Sequence, residues 1–266
     1  MRIIQELLRN MPFGIPSPQP ASPELHTPEE WQAYWESQGQ PWRREPEINV
    51  QRQAVLAQKR VIAPDTERGI YPFKSMKLSR ADVEWLLATH EHGCGPVDWS
   101  DENQRRRQGL DLRGADVRHA DLQSLPLAGV CGGLTVQERV RGTEERCQAA
   151  AILLEGANLS EAHLEGAYLY KAQLTGANFQ RAVLTNANLG GAHLEGAYGC
   201  EAQLKDADVS GAHLNGLDLS GAYLQGMMLN GMHLEGVTFN RGFRHFYPPF
   251  SPLRILREIC CSFSPR

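Results

Sequence analysis

Nothing in the 266 residues approaches the run of roughly 18 apolar residues that a membrane span requires. The opening MRIIQELLRN places Gln5, Glu6 and Arg9 where a signal peptide needs an unbroken apolar stretch. The expectation is a cytoplasmic chain without membrane contact. Cysteine is sparse: six, at 94, 131, 147, 200, 260 and 261, with no CxxC spacing. A disulfide framework belongs to short secreted chains, so free thiols are expected. Also missing are GxSxG, GxxxxGK(S/T) and a GxGxxG between strand and helix. Their absence removes the nucleophile elbow, the P-loop and the dinucleotide fingerprint. No catalytic or cofactor-binding residue is assigned, no cofactor is expected, and the chain reads as non-enzymatic. An enzyme hidden in the N-terminal helical region is an alternative that no residue supports.

What is present is an ordinary globular composition, 41% hydrophobic and 22% charged, with a net charge of −4. The charge is unevenly spread: −5 over residues 152–241 and +3 over 242–266. An acidic repeat argues against direct nucleic-acid binding, because phosphate contacts come from Lys and Arg. The triplet Arg105-Arg106-Arg107 follows Asp101 and Glu102 and reads as a solvated helix face.

The dominant pattern is a period of five. From Leu154 to Phe239 every fifth residue is apolar, Gly199 being the one exception among 18 positions. Two residues earlier stands a small residue, Ala at every fifth position from 157 to 212 and at 222, giving way to Leu217, Met227, Met232 and Val237 towards the end, and two residues later often Gly. On an α-helix five residues advance about 140° net, which spirals the leucines around every side. On a strand an odd spacing flips successive leucines to opposite faces. A chain that turns a corner every five residues, with Gly or small polar residues easing the turn, points them all at one axis.

Units such as A-N-L-S-E, A-H-L-E-G, A-Y-L-Y-K and A-N-F-Q-R resemble the A-(D/N)-L-x-x units of the pentapeptide-repeat family. The resemblance runs through 152–241 and implies a mainly β fold, a right-handed quadrilateral β-helix of four units per coil. A shorter match at 110–129 adds four units centred on Leu112, Val117, Leu122 and Leu127. One coil cannot bury its own apolar face, so it is expected to stack beneath the rest, giving 22 units. Gly199 falls in a ladder with Leu159, Phe179, Leu219 and Phe239, where the Phe ring below is expected to fill the space.

The flanks complete the plan. Residues 1–28 read as a short helix and a Pro-rich linker, and 29–109 as a helical N-terminal region. Its helices are expected after Thr27-Pro28, near Val50 to Ile62, and from Ser79. That region, with Trp31, Trp35, Trp42 and Trp85, is either a second small core or a cap on the coil. Residues 130–151 read as a helical insertion projecting from one corner. Residues 242–266, with Ser251-Pro252 before an apolar pattern, read as a C-terminal capping helix over an otherwise exposed edge.

Because one coil spans 20 residues, Gln173, His193, His213 and His233 stack in one outward column, beside Thr175, Glu195, Asn215 and Glu235. Imidazole and carboxylate suit Zn or Cu, so His193, His213, His233, Glu195 and Glu235 are the metal candidates. The alternative is a plain ladder of stacked rings. His90-Glu91-His92 with Cys94 lacks HExxH spacing and reads as a helix end. The functional expectation is a protein-interaction or scaffold module with a protein partner, homodimerisation being compatible. The alternatives are a DNA-mimic modulator of a type II topoisomerase, as the resemblance allows, and a metal-binding surface.

Overall fold

The computed structural model describes residues 25–140 and 142–239. The expected N-terminal helix with most of its linker, and the capping helix over 242–266, lie outside the described residues. No helix among the described residues is long and apolar enough to cross a membrane.

Three helices lead. α1 spans Pro28–Ser37 and starts with a capping box: Thr27 accepts from the Glu30 N–H while the Glu30 side chain accepts from the Thr27 N–H. α2 spans Val50–Arg60 behind Asn49, and α3 spans Arg80–Ala88 behind a second capping box of Ser79 and Asp82. Trp31 and Trp35, four apart on α1, face inward. The Arg43 guanidinium lies 3.5 Å over the Trp35 ring, and Trp35 Nε1 donates to the Glu45 carbonyl at 2.8 Å.

From Leu110 the chain coils. Parallel bridges link residues 20 apart on four sides of each turn. One side runs Asp116, Leu153, Gln173, His193, His213, His233; the next runs Asp121, Asn158, Asn178, Tyr198, Asp218, Thr238. The third runs Pro126, His163, Val183, Gln203, Tyr223, and the fourth Asp111, Cys131, Tyr168, Asn188, Asp208, Met228. Each rung is bonded to both neighbours, as where Leu174 N–H donates to His193 O at 2.7 Å and His193 N–H to Ala172 O at 3.0 Å. The expected β character needs correcting in one respect. Among the described residues the coil contains isolated bridges and no extended strand, because each side is cut to three residues by the next corner. The inward alanines and the central leucines through Leu219 are buried, each leucine contributing about 1.5–3 kcal/mol before the cost of ordering. Leu224, Leu229 and Leu234 of the last described turn are only partly buried.

The repeat holds one more unit than its sequence pattern suggested. Cys131 bridges both Asp111 and Tyr168, so a fifth unit centred on Gly132 precedes the insertion. Residues 130–132 thus belong to the coil and the inserted segment starts at Gly133. Bridges across it join residues 37 apart, such as Asp116 and Leu153, so it adds 17 residues without shifting the register. Gly132 breaks the apolar ladder as Gly199 does, and for the same reason. A Cβ there would stand 2.6 Å from Ile152 Cγ2, and one on Gly199 would stand 2.6 Å from Phe179 Cε2. A neighbouring side chain already fills each space.

The insertion folds back on the coil instead of projecting from it. It forms α4 at Val136–Arg139 and α5 at Glu144–Ala150, capped by Thr135 and Thr143. Leu134, Cys147 and Ala150 make a small core with Tyr71 and Tyr170. Arg113 ties Glu138 at 2.8 Å, Arg139 lies 4.1 Å over the Tyr170 ring, and Lys171 pairs with Glu144. Val136 and Val140 remain uncovered, 56% and 82% exposed.

The N-terminal helices share the coil's core. Leu56, Phe73, Leu78, Val83, Leu86 and Leu87 form one continuous cluster with Leu112, Val117 and Leu122. Residues 75–78 add a rung to the first turn: Ser75 N–H donates to Gly114 O at 2.7 Å and Leu78 N–H to Asp116 O at 2.9 Å. A buried clip closes the joint. Arg80 Nε donates to Glu84 at 2.7 Å, and its remaining nitrogens donate to the carbonyls of Asp121, Gln123 and Trp42. Glu84 also accepts from the backbone N–H groups of Arg44 and Glu45, each at 3.0 Å.

Candidate functional site

The unit A-H-L-E-G places Ala and Leu inward and leaves His and Glu outward on either side of Leu. Repetition at one coil interval then stacks them. The His193 and His213 rings lie 4.6 Å apart with planes 7° from parallel, and His213 and His233 lie 4.8 Å apart at 17°. These separations match the spacing of about 4.8 Å between neighbouring rungs. His193 Nδ1 is 3.1 Å from Glu195 Oε1, and His213 Nδ1 is 3.9 Å from the same oxygen. Thr175 Oγ1 donates to Glu195 Oε2 at 3.3 Å. Burial pushes the Glu195 carboxyl up, but its own backbone N–H, the His193 ring and the Thr175 hydroxyl outweigh that and hold it below the usual carboxylate range.

Of the five candidates read from the sequence, the structure brings three together: His193, Glu195 and His213 can each aim a ligand atom within 4.8 Å of the others. They are the one such group among the described residues. His233 continues the stack without joining that group, and Glu235 is exposed on the last described turn. Asn215, which takes the place in its unit that Glu195 takes in the unit before, has a buried Oδ1 with no hydrogen-bond partner.

The other sequence features resolve into packing. His90 opens a 3-10 turn over His90–Gly93 and contacts the Gln108 carbonyl through Nε2 at 2.9 Å. Glu91 pairs with Arg107 at 2.5 Å and Cys94 is exposed. Arg105 and Arg106 lie on a 3-10 turn over Gln104–Arg106, where a longer helix face was expected. Arg105 donates to the Trp99 carbonyl at 2.7 Å. Sequence reasoning missed the valine pair on the insertion and the buried Arg80–Glu84 clip. The clip carried a signal in the i,i+4 spacing of opposite charges on α3.

A further A-H-L-E-G unit has no histidine above or below it. His163 Nδ1 is 3.1 Å from Glu165 Oε1, and that contact raises the His163 pKa above its ordinary value. A raised folded-state pKa gives stability that is fully present below about pH 6.5 and is lost as pH rises through the raised value. His163→Gln is therefore expected to flatten the pH dependence of the urea midpoint between about pH 6 and about pH 8. An unchanged profile would remove the pair from the stability balance.

The repeat itself has relatives. A family model for pentapeptide repeats matches eight copies across residues 152–186 and 177–216. Residues 152–216 carry pentapeptide repeats. No curated protein matches it. Among solved structures, the pentapeptide-repeat protein Rfr23 from the cyanobacterium Cyanothece 51142 is 27% identical, with a TM-score of 0.37, over 53% of this chain and 90% of that one. A pentapeptide-repeat protein from the Arabidopsis thaliana thylakoid lumen is 28% identical, TM-score 0.35, over 38% and 71%. QnrB1, a plasmid-mediated fluoroquinolone resistance protein, is 16% identical, TM-score 0.24, over 49% and 65%.

Proposed function

We propose that this pentapeptide-repeat protein is a non-enzymatic interaction module of the cytoplasm, a scaffold whose partner is a protein and whose recognition element is the helical insertion. The observation that carries this reading is the bare valine pair on a pinned support. Val136 and Val140 stand open to solvent while the segment bearing them is held by its own small core, the Arg113–Glu138 pair and the Arg139–Tyr170 contact. Exposed apolar side chains on a rigid base lose little freedom when a partner covers them. Insertions from solenoids commonly supply specificity. The finer architecture belongs to the same proposal: a right-handed coil.

The acidic residues do not support the DNA-mimic alternative. The bridge-position aspartates are spread, with Asp116 on one side of the coil, Asp121 and Asp218 on the next, and Asp111 and Asp208 on the fourth, and residues 152–241 carry a net charge of only −5 beside a basic 242–266.

The test uses the intact chain, because a fragment starting near Leu110 would lose Leu56, Phe73, Leu78, Val83, Leu86 and Leu87, which cover the first turn of the coil. Capture from the native lysate with the wild type is expected to yield a partner that Val136→Asp/Val140→Asp loses, with an unchanged circular dichroism spectrum. A partner bound equally by both proteins places recognition elsewhere, and no specific partner at all removes the scaffold reading.

A further inference from the structure

We propose that His193, Glu195 and His213 form a surface site for one divalent transition-metal ion, with Zn2+ as the probe. This goes beyond the interaction reading, since it uses a different side of the coil and would stand if no partner were found. Three features carry it.

The donor set is the first. Two imidazoles and one carboxylate are a ligand combination that zinc takes in sites with three protein ligands, and oxygen or water completes the shell. Asn215 Oδ1, buried and without a hydrogen-bond partner, is an oxygen in the repeat position that corresponds to Glu195 one coil on.

Spacing is the second. In a tetrahedral site with bonds of about 2.0–2.1 Å, neighbouring ligand atoms lie about 3.3 Å apart. The two nitrogen-to-oxygen separations here are 3.1 and 3.9 Å. Closing the wider one takes a small rotation of the His213 ring, whose side chain is 39% exposed. A metal lies in the plane of each imidazole it binds, so the two rings must also splay from their 7° alignment.

The third feature is the scaffold. His193 and Glu195 come from one coil and His213 from the next, and the backbone rungs beneath them are hydrogen-bonded in fixed register: His193 N–H to Ala172 O at 3.0 Å and His213 N–H to Ala192 O at 2.9 Å. Little backbone ordering is left for the metal to bring about. An ion held there also fastens two coils together, just before the turn whose Leu224, Leu229 and Leu234 are incompletely buried. Binding to the folded chain alone must therefore raise its melting temperature.

The experiment is calorimetric titration of the full chain with zinc chloride, with thiols blocked beforehand, paired with a thermal melt. The expected result is one ion per chain, a heat lost in His213→Ala and weakened at least tenfold in Glu195→Gln, and a zinc-dependent rise in melting temperature that both variants lose. His233→Ala should bind as the wild type does. His163→Ala, which removes a His–Glu pair lacking a stacked partner, should do the same. Two outcomes overturn the site: no zinc heat in the wild type, or a heat that persists in a folded His213→Ala. Should His213→Ala fail to fold, Glu195→Gln leaves the ring stack in place and decides the matter alone.

Discussion

Glu84→Ala is expected to lower stability by about 3–5 kcal/mol, because it leaves the Arg80 guanidinium buried without its counter-charge. Glu84 is fully buried and Arg80 is 6% exposed, so solvent cannot take over the lost contact. The measurement is a urea titration followed by tryptophan fluorescence. All five tryptophans, at 31, 35, 42, 85 and 99, precede the coil, so the signal reports on the region that the clip holds. An unshifted midpoint would mean that the packed leucines hold the joint without the clip. Replacing both partners by apolar residues, Arg80→Met with Glu84→Leu, is often harmless for a simple buried ion pair. Here it should not be. Arg80 also serves three backbone carbonyls and Glu84 two backbone N–H groups, and the double variant leaves all of them unpaired.

Gly199→Leu should cost about 1–3 kcal/mol or more by overpacking. The new side chain would meet the Phe179 ring below and Leu219 above, where even a Cβ comes to 2.6 and 3.1 Å. Backbone strain is not the cause, since Gly199 is not among the residues of positive φ. Phe179→Leu alone opens a void and costs a similar amount, about 1–3 kcal/mol. Made together, the two changes restore a ladder of leucines and should be less destabilising than Gly199→Leu by itself, a favourable coupling of about 1–3 kcal/mol. Additive losses, measured by denaturant titration, would show that the ring does not fill the space above it.

The coil was legible because its signal is local: an apolar residue at every fifth position but Gly199, with alanine two before it in 13 of 18 units, forces one corner per unit and leaves no other period. The first and third N-terminal helices were legible from their starts at Thr27-Pro28 and Ser79, and the second was placed near Val50 to Ile62 without its cap, Asn49. What escaped were features that depend on another part of the chain. The unit that opens V-C-G at 130–132 has neither the alanine nor the leucine in place, and only the bridges to Asp111 and Tyr168 reveal Cys131 as part of a rung. The insertion read as a projection because its anchors, Tyr71, Arg113 and Tyr170, lie outside it in sequence. At the histidine column, the stacking followed from the 20-residue coil, while the convergence of three groups out of five depends on where Glu195 swings, which the sequence does not record.

The undisturbed register across residues 133–151 means that the corner after Gly132 already tolerates 17 extra residues as a loop with its own fold. Loop closure costs grow only slowly with length. That corner is therefore a natural graft point, where a foreign peptide epitope could replace α4 and α5 and be displayed from a stiff stem at a known height along the coil axis.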